Sequence, residues 1–173
     1  DLSGAPEVVT RVVEQVKELE AQGWSFEAAD ASFELLIMDG QGREVAFAVE
    51  SWRTIVEQDA SGEVKTEATV KLHINGERII STAEGNGPVN ALDRAMRRAI
   101  VQVYPDLDTL RLVDYKVRIL DEKSGTGAKT RVLIGTSDGH QEWSTVGVHE
   151  NVIAASWRAL EDAVKYGLLK RAR

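Results

Sequence analysis

Between residues 51 and 170 the spacing of apolar side chains switches from every second residue to the helical 3.6, and it does so twice in the same order. Trp52-Arg53-Thr54-Ile55-Val56 predicts a strand ended by Asp59-Ala60-Ser61-Gly62, and the run from Val64 to Ile74 alternates. Asn75-Gly76 predicts a two-residue hairpin into a third strand over 77–84. Pro88 suits the first position of a helix over 88–103, where Val89, Leu92, Met96, Ala99, Ile100 and Val103 share one face. After Pro105 the order recurs: strands over 112–120, 129–136 and 142–148, with turns at Ser124-Gly125-Thr126-Gly127 and Ser137-Asp138-Gly139. A helix over about 151–169 follows. A shift of 64 residues superposes Arg94-Ala95-Met96 on Arg158-Ala159-Leu160, and Ala99-Ile100 on Ala163-Val164. These features predict an α+β fold built by tandem duplication of a β-β-β-α unit, with repeats at about 51–105 and 111–170. One-sided helices of this kind predict a layered sheet/helix body.

The first 48 residues are different. Val9, Val12, Val13, Val16 and Leu19 form a helical stripe after Pro6, stopped by Gly23. Ser25 is placed to cap a second helix with Ala29, Phe33, Leu36 and Ile37 on its apolar side, ended by Asp39-Gly40-Gln41-Gly42. Residues 1–50 carry 11 acidic and 3 basic side chains, against 17 and 18 in residues 51–173. The chain therefore divides into an acidic helical linker subdomain, 1–48, and a body, 49–173. Two helices this short bury too little to stand alone, so the leader must pack on something. The absence of cysteine excludes disulfides and thiolate metal sites, and no run of about 18 apolar residues occurs. The expectation is a soluble, cytoplasmic protein with no membrane partner.

Within the first repeat, Gly85-Asn86-Gly87-Pro88 joins the third strand directly to the helix. Two glycines around an asparagine predict a sharp turn with positive φ and uncovered N–H groups. A helix opened this way offers spare donors and a positive dipole end, suited to a carboxylate or phosphate. Gly85-x-Gly87-x-x-Asn90 lacks the third glycine of a dinucleotide fingerprint and follows an antiparallel strand. Gly125-Thr126-Gly127-Ala128-Lys129-Thr130 has the wrong spacing for a phosphate loop and precedes a strand, so it reads as a hairpin turn. His73, His140 and His149 lack metal-ligand spacing, and no nucleophile elbow surrounds a serine. No catalytic residue and no metal site is expected. Helix-βββ-helix is also the element order of double-stranded-RNA domains, but the helix start Pro88-Val89-Asn90-Ala91-Leu92-Asp93 is neutral to acidic. Arg94, Arg97 and Arg98 therefore read as a solvated or ion-paired face, with no nucleic-acid partner. Trp52, Trp143 and Trp157 read as core or interface anchors.

Three stretches carry a family resemblance. Glu84-Gly85-Asn86-Gly87-Pro88-Val89-Asn90-Ala91-Leu92-Asp93, then 112–120 (Leu-Val-Asp-Tyr-Lys-Val-Arg-Ile-Leu), then Thr145-Val146-Gly147-Val148 running into 150–157 resemble the C-terminal regulatory domain of α-isopropylmalate and citramalate synthases. Phe26 to Leu36 is similar to the linker subdomain that precedes it, and the leader and the Trp157 helix look most like the citramalate branch. The resemblance implies a parent acyltransferase that condenses acetyl-CoA with a 2-oxo acid such as pyruvate in a metal-dependent barrel. This fragment lacks that barrel and so carries no enzyme activity or cofactor of its own, the divalent metal being the parent's. It also implies a homodimer that binds an end-product amino acid, isoleucine in the citramalate branch and leucine in the isopropylmalate branch. The implied effector residues are Gly85, Asn86, Gly87, Pro88 and Val89. Chemical reasoning adds Asn90 at the helix start, a carboxylate such as Asp114 or a strand carbonyl for the ammonium group, Tyr115 nearby, and Val146 in an apolar slot. The second repeat has Val148-His149-Glu150 at the equivalent turn, which leaves open whether both units bind. The alternative is a structural dimerisation module without a ligand; an ACT-like sensor would need βαββαβ order, which this chain does not follow.

Overall fold

The computed structural model describes residues 6–40 and 47–171. Its elements run α1 (Pro6–Ala21), α2 (Asp30–Gly40), β1 (Phe47–Gln58), β2 (Val64–Ile74), β3 (Glu77–Gly85), α3 (Pro88–Val103), β4 (Arg111–Ile119), β5 (Thr130–Ser137), β6 (Glu142–His149) and α4 (Val152–Arg171), with short 3₁₀ turns at Pro105–Thr109 and Glu122–Gly127. Two three-stranded sheets result, ordered β1-β2-β3 and β4-β5-β6. The predicted β-β-β-α duplication is the fold. Contacts group the described chain into two units: β1 to α3 with the residues from Gly167 onward, and β4 to Tyr166 together with α1 and α2.

In the first unit, β2 pairs antiparallel with both neighbours, and Ile74 faces Glu77 across the hairpin. Asn75 and Gly76 both take positive φ, 51° and 81°, the pair of left-handed residues that a two-residue hairpin of matching twist requires. β1 is longer than its apolar core of Trp52 to Val56 suggested, with a bulge between Val49 and Ser51. Val70, Leu72 and Ile74 are sealed beneath Leu92, Met96 and Ile100 of α3, the packing that one alternating strand and one helical stripe dictate. Asp93 is buried on α3, where Arg97 pairs with it through two nitrogens and donates its third to the Leu110 carbonyl at 3.1 Å. Arg94 and Arg98 donate to the carbonyls of Glu84 and Thr82 on β3, at 3.2 and 2.8 Å. The arginine face is thus ion-paired and stapled to the sheet.

In the second unit β5 pairs antiparallel with β6, from Thr130 facing His149 to Ser137 facing Glu142. Val132, Ile134 and Thr145 lie fully buried under α4, together with Ala155 and Ala159. Trp143 Nε1 donates to the Ala163 carbonyl at 3.2 Å and Thr145 Oγ1 to the Ala159 carbonyl at 2.7 Å, so strand and helix are bonded as well as packed. The 64-residue shift holds at the level of burial: Ala95, Met96, Ala99 and Ile100 are core in one unit, and Ala159, Leu160, Ala163 and Val164 in the other.

The leader corrects two expectations. α2 begins at Asp30, not after Ser25. Residues 24–29 are instead an irregular segment in which Trp24 stacks on Phe26, with ring centroids 6.1 Å apart, and a turn over 26–29 is closed by the Ala29 N–H on the Phe26 carbonyl at 3.1 Å. Of the predicted α1 stripe, Val12 is buried while Val9 and Val13 stay exposed. The end of α2 at Gly40 agrees with the sequence; Gly42 lies outside the described residues.

Candidate functional site

Each repeat presents a strand-to-helix corner, and the two corners differ in how the helix start is satisfied. At the first, Gly87 is the N-cap of α3 with φ −175°, Pro88 follows as the first helical residue, and no side chain caps the helix. The amides of a helix's first turn have no intrahelical acceptor, so this start leaves donors open beside a half-buried surface of Gly85, Gly87, Val89 and Asn90. Asn90 reaches back instead: its Oδ1 accepts the Asn86 N–H at 3.3 Å. The glycines serve a purpose other than the predicted one. Neither Gly85 nor Gly87 has positive φ. At Gly85 a Cβ would lie 2.5 Å from the Ala91 nitrogen and 2.7 Å from Asn90 Oδ1, so this glycine permits close approach of strand and helix. At Gly87 a Cβ would meet nothing within 4 Å, so the space in front of the N-cap is open.

At the second corner Asn151 occupies the position equivalent to Gly87. Its Oδ1 accepts the N–H groups of Ile153 and Ala154 at 2.9 and 3.2 Å, while His149 Nδ1 accepts the Asn151 N–H at 2.8 Å. This helix start is capped by its own chain. The two corners therefore differ in how the first amides of the helix are satisfied.

The structure gathers Gly85, Asn86, Gly87, Pro88, Val89 and Asn90 in the first corner. Asp114, Tyr115 and Val146 belong to the second unit. Asp114 is exposed and bonds Lys116 Nζ at 2.5 Å, and this contact holds its carboxyl below the usual range. Tyr115 OH lies 2.9 Å from Ser156 Oγ, which itself donates to the Val152 carbonyl at 2.7 Å, so the tyrosine hydroxyl is the donor to the serine. Val146 is fully buried. Among the described residues no group of three or more His, Asp or Glu is arranged to hold a metal ion, and no helix is long and apolar enough to cross a membrane.

Sequence reasoning missed a polar clamp between leader and sheet. Asp30 Oδ1 accepts the Ser144 N–H at 3.0 Å, and Ser32 Oγ accepts the Val146 N–H at 3.0 Å and donates to Asp162 Oδ2 at 2.7 Å. Tyr166 OH donates to Glu34 Oε2 at 2.7 Å. Two side chains of α2 thus satisfy alternate amides along β6, the edge strand, as a neighbouring strand would. The partners are more than 100 residues apart, and no local pattern in the chain announces them.

The profile of the LeuA allosteric (dimerisation) domain matches residues 27–168. The chain belongs to this family. An (R)-citramalate synthase of Streptomyces coelicolor is 62% identical over 172 residues, which cover 98% of this chain and 32% of that protein. An (R)-citramalate synthase of Aquifex aeolicus is 47% identical over 92% of the chain and 31% of its own length. A 2-isopropylmalate synthase of the same organism is 33% identical over 60% of the chain and 18% of its own length. The chain spans about a third of the citramalate synthases it matches. For this LeuA allosteric domain, the family match takes in α2, both repeats and both corners, so the clamp on β6 lies within the matched region.

Proposed function

We propose that this domain senses a branched-chain amino acid, isoleucine, and restrains a citramalate synthase that joins acetyl-CoA to pyruvate. The observation that carries the reading is the uncapped start of α3, with open space before Gly87 and Gly85 closing the corner behind it. A free amino acid presents a carboxylate, and the N–H groups of this helix start match it in charge and direction. The two relatives identical at 62% and 47% are both named (R)-citramalate synthase, which favours that branch. In this proposal Val89 and Asn90 line the corner beside those N–H groups, within the first unit. The chain works as a homodimer in the cytoplasm, and the helices within 1–48 pass the effector's influence to the catalytic part of the parent enzyme, where the divalent metal resides. A ligand shifts that equilibrium only by its differential affinity for the two arrangements.

A second reading, leucine binding in a 2-isopropylmalate synthase, is favoured by the 33% identical relative of that name. Isoleucine and leucine are isomers that differ only in whether the side chain branches at Cβ or Cγ, so discrimination between them rests on the shape of the apolar slot rather than on its size. Titration calorimetry with each, on the wild type and on Gly87→Val, distinguishes the readings. Saturable heat from isoleucine that vanishes in the variant supports the proposal, and tighter binding of leucine replaces it with the second. Heat from neither amino acid leaves a structural dimerisation module as the function.

A further inference from the structure

Where β4 runs out into the 3₁₀ turn the second unit holds a cavity of ≈ 1020 Å³. Its wall combines the apolar Val117, Ile119 and Leu120 with three cations, Arg118, Lys123 and Arg131. The cations are not neutralised in the usual way. Leu120 N–H bonds the Lys129 carbonyl at 2.8 Å, and a Cβ on Gly135 would lie 3.0 Å from Asp114 Cβ. Both contacts belong to one antiparallel register, and that register sets Arg118 directly opposite Arg131. Like charges facing each other across strands destabilise a sheet, and burial, with a smaller contribution from Arg118, lowers the pKa of Arg131. Arg131 cannot swing away, because its Nε donates to the Gly23 carbonyl at 2.6 Å, which leaves its terminal nitrogens as the free donors. Asp121 is the one carboxylate on the wall among the described side chains, and it already accepts the Ser124 hydroxyl. Arg118 and Lys123 engage no carboxylate among the described residues, whereas Arg78, Arg97 and Arg171 each hold one. In a chain with 28 acidic and 21 basic side chains, three cations on one wall, of which Arg118 and Lys123 engage no carboxylate among the described residues, are not what composition alone would leave.

We infer that this cavity is an anion site for a phosphate-bearing small molecule with an apolar portion. Two guanidinium groups and an ammonium supply more donors than the two oxygens of a carboxylate can use, and they match the three oxygens and double charge of a phosphate monoester. The volume exceeds that of a bare phosphate, and Leu120, on the same face of β4 as Arg118, offers the remainder an apolar contact. A nucleic acid does not fit, because it needs a stripe of positive charge that the rest of this acidic chain does not supply.

The test is calorimetry on the whole chain at low ionic strength, with phenyl phosphate and with inorganic phosphate as probes. Expected are saturable one-to-one binding of phenyl phosphate, weaker binding of inorganic phosphate, and about a tenfold loss of affinity in each of Arg118→Gln and Lys123→Gln. Lys65→Gln, in the other unit, should bind as the wild type does. Arg118→Gln should also melt higher than wild type without phosphate, through relief of the cross-strand repulsion, and gain less from added phosphate. Absence of saturable binding, equal affinity for the two probes, or unchanged affinity in Arg118→Gln overturns the inference. Isoleucine binding by the same variants reads the α3 corner separately, so failure at one site is distinguishable from failure at the other.

Discussion

Ser32 on α2 donates its hydroxyl hydrogen to Asp162 on α4 at 2.7 Å while accepting the Val146 N–H at 3.0 Å, so one small side chain joins helix, helix and sheet edge. Ser32 is buried, and its removal leaves both a strand amide and a carboxylate short of a partner. Ser32→Ala should cost about 1–3 kcal/mol in urea unfolding, more than a single exposed hydrogen bond is worth. A loss under about 0.5 kcal/mol would mean water replaces the clamp.

Asp162 also sets a pH dependence. Burial raises its carboxyl from 3.8 to about 6, against the opposing effects of Ser32, Lys165 and Arg158, with Glu161 reinforcing the rise. The folded chain then binds a proton that the unfolded chain has released. This contribution to stability is present below about pH 4 and is lost as pH rises through about 6. Asp162→Asn keeps an acceptor for Ser32 and should remove that slope, raising stability at pH 7 by about 1–3 kcal/mol. Unfolding free energies at pH 4, 5, 6 and 7 for both proteins check it.

Glu50 predicts the opposite slope in the other unit. Its hydrogen bonds from Arg78, 2.6 Å from Nε and 2.8 Å from Nη2, hold its carboxyl down to about 2, with a smaller contribution from His73. Its stabilising effect is present above the ordinary value of 4.5 and disappears as pH falls toward 2. Glu50→Gln should lower the melting temperature slightly at pH 7 and leave it unchanged near pH 2; the pair is solvent-exposed, so the shift is small. An equal loss at both pH values would assign the effect to packing.

Gly85 and Gly87 should respond differently to the same substitution. Gly85→Ala places a Cβ 2.5 Å from the Ala91 nitrogen and should cost about 1–3 kcal/mol by forcing strand and helix apart. Gly87→Ala has open space and extended backbone, so stability should change by less than about 0.5 kcal/mol. Thermal unfolding of both variants separates the packing glycine from the one with open space before it.

Asn151 offers a control on the asymmetry of the corners. Asn151→Ala removes the acceptor for the Ile153 and Ala154 amides and should cost about 1 kcal/mol, the usual worth of an N-cap. The reciprocal Gly87→Asn should stabilise α3 and displace isoleucine by supplying the cap from within. Retained isoleucine affinity in Gly87→Asn would separate the effector from this helix start.

Much of the fold was legible because its signals are local. The period of Val64 to Ile74, the Asn75-Gly76 turn and the stripe from Leu92 to Ile100 each dictate structure over a few residues, and their recurrence 64 positions on revealed the duplication. The corner at 85–90 was legible for the same reason, although the purpose of its glycines was not: a turn with positive φ and a close strand–helix approach both ask for glycine, and the chain does not say which. The start of α2 was misplaced because the stacking of Trp24 on Phe26 and the bond from Ser144 to Asp30 outweigh a favourable cap at Ser25.

The sequence by itself determined the order of strands and helices, the twofold repetition and the identity of the helix start that carries no cap, since each depends on neighbours along the chain. Tertiary structure alone decided that α2 completes the edge of β6, that Asp162 is buried against Ser32, and that Arg118 faces Arg131. Those relationships join residues that chain order keeps apart, and a pairing across space is set by register and packing, for which no single stretch of sequence holds the code.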